Sequence, residues 1–179
     1  VIVAVLFYSR IESIMIDNAH RSHASALEQA KQVVDGYINE MNRLTVQIGF
    51  NPELKRFMDR SDYDDPEELY GLISLLEELS LYNSLNPIIG QYYIYMHNTN
   101  TVISPSLKVD SRTFYHHLLS YEDMTYEEFY DTFLAVRHHS EYYPVRQVRS
   151  GPGKQVVSDK LTFVQSLPFG EKENISATL

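Results

Sequence analysis

The chain has 179 residues, 24 acidic against 15 basic, and a formal net charge of −9. That balance disfavours any protein that wraps phosphates over a broad surface, because such binding needs clustered Lys and Arg. No cysteine is present, which excludes disulfide frameworks, thiolate metal sites and cysteine nucleophiles together. With 44% hydrophobic residues and only 7 glycines and 7 prolines, the chain has enough apolar surface to fold as one domain plus an extension.

Residues Val1 to Tyr8 form an unbroken apolar run that stops at Ser9-Arg10. Eight residues are too few to span a bilayer, which takes about 20 in helical form. The flanks lack the basic start and small-residue cleavage site of a signal peptide. Residues 1–10 are therefore expected to be the end of a transmembrane helix. From Ile11 to Phe50 there is no proline, and Leu27, Ala30, Val34, Tyr37, Met41, Leu44 and Ile48 recur at alternating spacings of three and four. This heptad seam predicts one long helix. At 1.5 Å per residue it would run about 60 Å, more than a compact domain needs for its own core. Leu27, Val34, Tyr37 and Met41 are the expected dimer interface of such a stalk. Residues 11–60 thus form a stalk helix followed by a short helix, the latter opened by Asn51-Pro52 and running to Met58.

Asp62 to Glu68 is an acidic loop, and Asp65-Pro66 starts a helix with Leu69, Leu72, Ile73, Leu76 and Leu79 on its apolar face. Between Glu53 and Glu78 there are 9 acidic and 3 basic residues, read as a solvated face. The period then changes. Ile88 to Met96 is rich in aromatic and β-branched residues, His97 to Asn100 is turn material, and Thr101 to Ser104 follows, so a β-hairpin is expected. Helices are predicted from Ser111 to about Leu119 and from Thr125, where Thr125 and Glu128 can form a reciprocal capping box. Tyr126, Phe129, Tyr130 and Phe133 are the stripe the second would bury. Short strands are expected at Val145–Val148, Gln155–Val157 and Leu161–Leu167, with a turn at Ser150–Gly153. A last strand begins at Ile175 and is expected to be cut in its middle.

Most chemical motifs are missing. His20 and His23 stand one helical turn apart, but no third ligand joins them at a fixed spacing, so no metal site is assigned. The doublets His116-His117 and His138-His139 each place neighbours on different faces, which suits hydrogen bonding, or pH sensing if buried. Neither a glycine-rich phosphate loop nor a serine nucleophile elbow occurs, and no enzyme or cofactor is expected. The unusual feature is the aromatic supply of 14 tyrosines and 8 phenylalanines without tryptophan. Along the strand through Met96, Tyr92, Ile94 and Met96 point one way and Tyr93 and Tyr95 the other. The apolar set should pack on the long helix. Tyr93 and Tyr95 should face the segment from Ser111 to Val148, which leads into a locally basic stretch holding Arg137, Arg146, Arg149, Lys154 and Lys160. The expected ligand-binding set is Tyr93, Tyr95, Arg112, Tyr115, Arg137, Tyr143 and Arg146. Tyrosine walls with arginines at the rim suit a small anionic or polyhydroxylated solute. The same tyrosines also suit a dry core.

This order of elements, with the strings Tyr92-Tyr-Ile-Tyr95, Val102-Ile-Ser104 and Phe163-Val-Gln-Ser-Leu-Pro168, resembles the extracytoplasmic Cache sensor domains of bacterial transmembrane receptors, especially AraC-type regulators and sensor histidine kinases. The resemblance implies an α+β fold in which a long N-terminal helix packs on a PAS-like antiparallel β-sheet, with residues 61–179 as the sensor domain, truncated at its C-terminal end. It also implies a ligand cavity on the opposite side of the sheet, dimerisation through the stalk helices, and a place on the outer side of the cell membrane. The tryptophan-containing amino-acid recognition motif of some double Cache sensors is missing, so an amino-acid ligand is not implied.

Overall fold

A computed structural model describes residues 2–59, 66–85, 89, 91–170 and 175–179; side chains are described from residue 15 onward, outside 66–68 and 152. The fold is α+β, with a long N-terminal helix and antiparallel sheets. The chain divides into two compact units, Val1–Glu40 and Met41–Leu179.

The first unit is helical throughout its described length, being the bulk of helix α1 (Ile2–Gly49). Every described side chain from Met15 to Tyr37 is exposed, including Leu27, Val34 and Tyr37 of the heptad seam. Among the described residues no helix is long and apolar enough to cross a membrane.

In the second unit the seam meets a core. Leu44 and Ile48, its last two members, are buried, whereas Met41 is only partly covered. Thr45 lies beside them and returns its hydroxyl to the Met41 carbonyl at 2.7 Å, a bond within the helix that satisfies the buried oxygen. Asn51 caps α2 (Pro52–Asp59) by accepting from the Leu54 N–H at 3.0 Å, and its amide reaches the Glu78 carboxylate. α2 buries Leu54, Phe57 and Met58. The buried stripe of α3 (Pro66–Leu85) is Leu75 and Leu79, flanked by Leu72, Leu76 and Tyr82; the predicted members Leu69 and Ile73 are exposed instead. Leucines occupy most of two adjacent faces here, so spacing alone did not select the one that meets the sheet. Residues 62–65 of the acidic loop lie outside the described residues, as do residues 88 and 90 of the predicted first strand, which in the structure begins only at Ile94.

The strands are β1 (Ile94–Met96), β2 (Thr101–Ser104), β3 (Leu107–Asp110), β4 (Leu119–Tyr121), β5 (Glu141–Ser150), β6 (Val156–Val164), β7 (Ser166–Leu167) and β8 (Ala177–Thr178). They form a five-stranded sheet in the order β3-β2-β1-β8-β7 and a three-stranded sheet β4-β5-β6, with antiparallel pairing throughout. The predicted hairpin is β1–β2, with Tyr95 opposite Val102. Two strands were not anticipated: β3, which returns along β2, and β4, which lies at the end of the predicted helix from Ser111. That helix is α4 (Ser111–His117), capped by Asp110, whose carboxylate accepts from the Thr113 N–H at 2.9 Å. The predicted strands Gln155–Val157 and Leu161–Leu167 correspond to β6, which is continuous across both, and to β7.

The alternation on β1 divides the interior in two. Tyr92, Ile94 and Met96 join Leu44, Ile48, Leu54, Phe57, Leu75, Leu79, Ile103 and Leu167 in one cluster. Tyr93 and Tyr95 belong to the other, with residues from α4 through β6. The end of α1 therefore packs on the apolar face, as expected. Gly49 supports this contact, since a side chain there would collide with the Phe169 ring and Leu167. Ile48→Ala removes a fully buried side chain and is expected to cost about 2–5 kcal/mol by urea denaturation, whereas Val34→Ala on the exposed helix should stay within about 0.5 kcal/mol.

Candidate functional site

The second cluster is built from rings. Its floor is β1 and β2, supplying Tyr95 and Val102; its cover is α4 and α5 (Tyr126–Phe129), supplying Phe114, Tyr115, Tyr126 and Phe129. The expected capping box is present: Thr125 accepts from the Glu128 N–H at 3.2 Å and the Glu128 carboxylate accepts from the Thr125 N–H at 2.7 Å. The Thr125 N–H and, second to it, the Thr125 hydroxyl donate to the Glu128 carboxyl and hold it below its usual range. The helix does not continue as an α-helix. Tyr130–Leu134 forms a wider π turn, closed by the Ala135 N–H on the Tyr130 carbonyl at 2.8 Å. The extra residue of such a turn leaves consecutive side chains, Phe133 and Leu134, both buried.

Four of the expected ligand residues meet in this cluster. Tyr93 is half-buried, sets its ring edge-on to Phe114 at 4.6 Å and donates its hydroxyl to the Gln91 Oε1 at 3.0 Å. Burial raises its hydroxyl to about 12, with Tyr121 adding to the effect. Tyr95 is buried, donates to the Asn100 Oδ1 at 2.9 Å and touches His97 at 4.7 Å between ring centroids. Tyr115 packs on Phe129 at 4.8 Å and donates to the Met124 carbonyl. Tyr143, on β5, lies edge-on to Phe133 at 4.8 Å and donates to the Glu141 carboxylate at 3.2 Å. Further inside, the Tyr126 hydroxyl pairs with Ser111 at 2.8 Å and the Tyr121 hydroxyl with Thr162 at 2.7 Å. The hydroxyls are thus satisfied within the protein, as burial requires.

The three expected arginines lie at the margins and already have partners. The Arg112 guanidinium sits over the Tyr126 ring at 4.8 Å and 3.8 Å from the Glu127 carboxylate. Arg146 donates to the Asp123 Oδ2 at 3.0 Å. Arg137 donates to the Pro168 and Gly170 carbonyls at 3.3 and 3.2 Å, placing it by the β7–β8 connection. An incoming anion at Arg112 or Arg146 therefore has to displace a carboxylate, which both contacts leave half in water and weakly held.

Sequence reasoning did not include His138 in the site. It is 1% exposed, its Nδ1 is 2.7 Å from the Glu141 Oε2, and its ring centroid is 6.0 Å from that of Tyr143. Nδ1 faces the carboxylate, and the enclosed Nε2 has no hydrogen-bond partner among the described residues. The bond to His138 is the main reason the Glu141 carboxyl lies below its usual range. The signal was the doublet His138-His139 followed by Glu141 and Tyr143, but a doublet alone does not say which imidazole turns inward. His139 is exposed.

His97 is the other titratable group at the floor. Burial lowers it to about 4, and the Arg137 charge adds to the shift; its Nε2 lies 3.0 Å from the Thr178 hydroxyl. Among the described residues no group of three or more His, Asp or Glu side chains converges as a metal site. No family model matches this chain, and comparison with curated proteins and with solved structures yields no match.

Because the folded state holds His97 neutral down to about 4 while the unfolded chain protonates near 6.5, the unfolded state binds more protons between these values. Its contribution is complete above about pH 6.5 and is lost as pH falls toward 4. His97→Gln is expected to flatten the decline of the urea midpoint between pH 6.5 and 5; equal slopes in both proteins would show that His97 carries no such linkage.

Proposed function

We propose that this chain is the extracytoplasmic, non-enzymatic sensing domain of a membrane-bound bacterial receptor, a histidine kinase or an AraC-type regulator. In this reading it binds a small anionic or polyhydroxylated solute and signals through a pair of N-terminal helices. The observation that carries the reading is the two-sided use of β1. One side seats the end of α1 through Ile94 and Met96, and the other seats Tyr95, with Tyr93 just ahead of the strand, against a cover edged by Arg112 and Arg146. A solute that moves the cover changes the packing on one side of a strand whose other side holds the helix leading to the N-terminus. Coupling of that kind requires only that the solute favour one of two arrangements.

A second reading is favoured by the closure of the hydroxyl network. Tyr95, Tyr115, Tyr121 and Tyr126 all spend their hydroxyls on partners inside the protein, as they would in a structural or protein-interaction module with a filled interior. Titration with a panel of amino acids, dicarboxylic acids and sugars separates the two. Under the sensor reading one class at a hundredfold excess over its Kd raises stability by about 2.7 kcal/mol, a shift of several degrees in Tm, and Arg146→Ala abolishes it. A flat response across the panel selects the structural module.

The paired-helix part of the proposal rests on the exposed apolar side chains Leu27, Val34 and Tyr37, which the heptad spacing puts on one stripe with Met41. A homodimer formed along that stripe should dissociate at least tenfold more readily in the double variant Leu27→Glu, Val34→Glu, measured by sedimentation equilibrium, with the melting of the second unit unchanged. Equal self-association of both proteins would place the dimer contact elsewhere.

A further inference from the structure

His20 and His23 take no part in the tyrosine cluster or its cover. They lie on α1 within the first unit, and both imidazoles are exposed. Counted from Tyr37 toward the N-terminus in alternating threes and fours, the seam passes through Val34, Ala30, Leu27, His23, His20 and Ile16. The two histidines thus fill consecutive seam positions, with Leu27, 72% exposed, on one side of them and Ile16, 49% exposed, on the other. The positions that border the seam at this level are Ala19, Ala24 and Ala26, whereas Arg21 and Glu28 fall on the far side of the helix. Small side chains beside a seam let two helices approach closely. Around the histidines the helix is therefore shaped for a neighbour, although the seam itself is polar there.

A polar residue at a seam position costs stability in a coiled coil, and two in succession need something to satisfy them once the helices close. One chain offers two imidazoles, too few for a closed site, and among its described residues no group of three or more ligands converges. A second copy, parallel and in register, brings the same two to the same level. Consecutive seam positions three residues apart are separated by about 4.5 Å along the axis, so four imidazoles from two layers surround one point on the seam.

We propose that His20 and His23 of two chains together bind one divalent transition-metal ion of the zinc type. The inference rests on the paired-helix reading above and adds a ligand to it. Imidazole nitrogen is a preferred donor for such ions, and four neutral imidazoles make a closed tetrahedral set, the pattern of a structural site with no position left for a substrate. Mg²⁺ and Ca²⁺ do not suit it, because they take oxygen ligands. Asp17, one helical turn before His20, is placed to accept the ring N–H that the metal does not use. The ion ties the helices in parallel register and stabilises that arrangement of the pair over any other.

The test is sedimentation equilibrium of the whole chain in EDTA and in micromolar Zn²⁺, with titration calorimetry for the stoichiometry. Zn²⁺ should strengthen self-association at least tenfold and bind as one ion per two chains, whereas Mg²⁺ should change nothing. The double variant His20→Ala, His23→Ala should pair in EDTA at least as well as the unaltered chain and lose the response to Zn²⁺. Pairing in EDTA that Zn²⁺ leaves unchanged, one ion bound per chain, or a zinc response that persists in the double histidine variant would each overturn the metal site while the paired-helix reading stands. Chains that stay monomeric in both media would overturn the two together.

Discussion

The alternation of side chains along β1 is the constraint on which the rest of the second unit depends. A strand sends successive residues to opposite faces, and Tyr92-Tyr-Ile-Tyr-Met96 uses that property to serve two interiors of different chemistry. Ile94 and Met96, both fully buried, take part in an aliphatic core with α1, α2 and α3. Tyr93 and Tyr95 take part in an aromatic one. A slip of one residue in the pairing with β2 would exchange the tyrosine and aliphatic side chains between the two interiors, so the register is held from both faces.

The aromatic interior is held differently from the aliphatic one. Its rings meet edge-on, tilted or, at Tyr121 and Phe133, stacked, at centroid distances between 4.6 and 6.2 Å, and its hydroxyls find acceptors or partner hydroxyls nearby. Such a network is directional, so it specifies one arrangement of the cover over the sheet more sharply than aliphatic packing does. The same closure bears on function. Under the sensing reading proposed above, a solute would have to replace internal bonds with its own, so binding would depend on matching polar groups.

The charges follow the same division. Arg112, Arg146 and Arg149 are held at the surface by Glu127, Asp123 and Glu122, acidic residues of the short segment between β4 and α5 and of α5 itself. The pairs tie the cover to α4 and β5 without burying charge. His138 is the exception, an imidazole inside the protein with one nitrogen on a carboxylate that remains half in water.

Local chemistry announced much of this. The heptad seam, the proline that opens α2, the turn at His97–Asn100, the Thr125–Glu128 box and the two faces of the tyrosine strand each follow from residue type and spacing within about ten positions, where bonding is set by neighbours. What the tertiary structure decided is long-range. Leu44 and Ile48 leave the exposed seam and enter a core because strands about fifty residues later lie against them, and no spacing marks that point. The buried face of α3 was chosen by the sheet among leucines of equal merit. β3 and β4 are short strands whose pairing, and not their composition, makes them strands. Tyr93 and Tyr95 lie on the face the alternation foretold, whereas Arg137 was carried to the Pro168–Gly170 turn and His138 was turned inward in preference to His139. Those choices depend on which surfaces meet, and a linear pattern does not contain them.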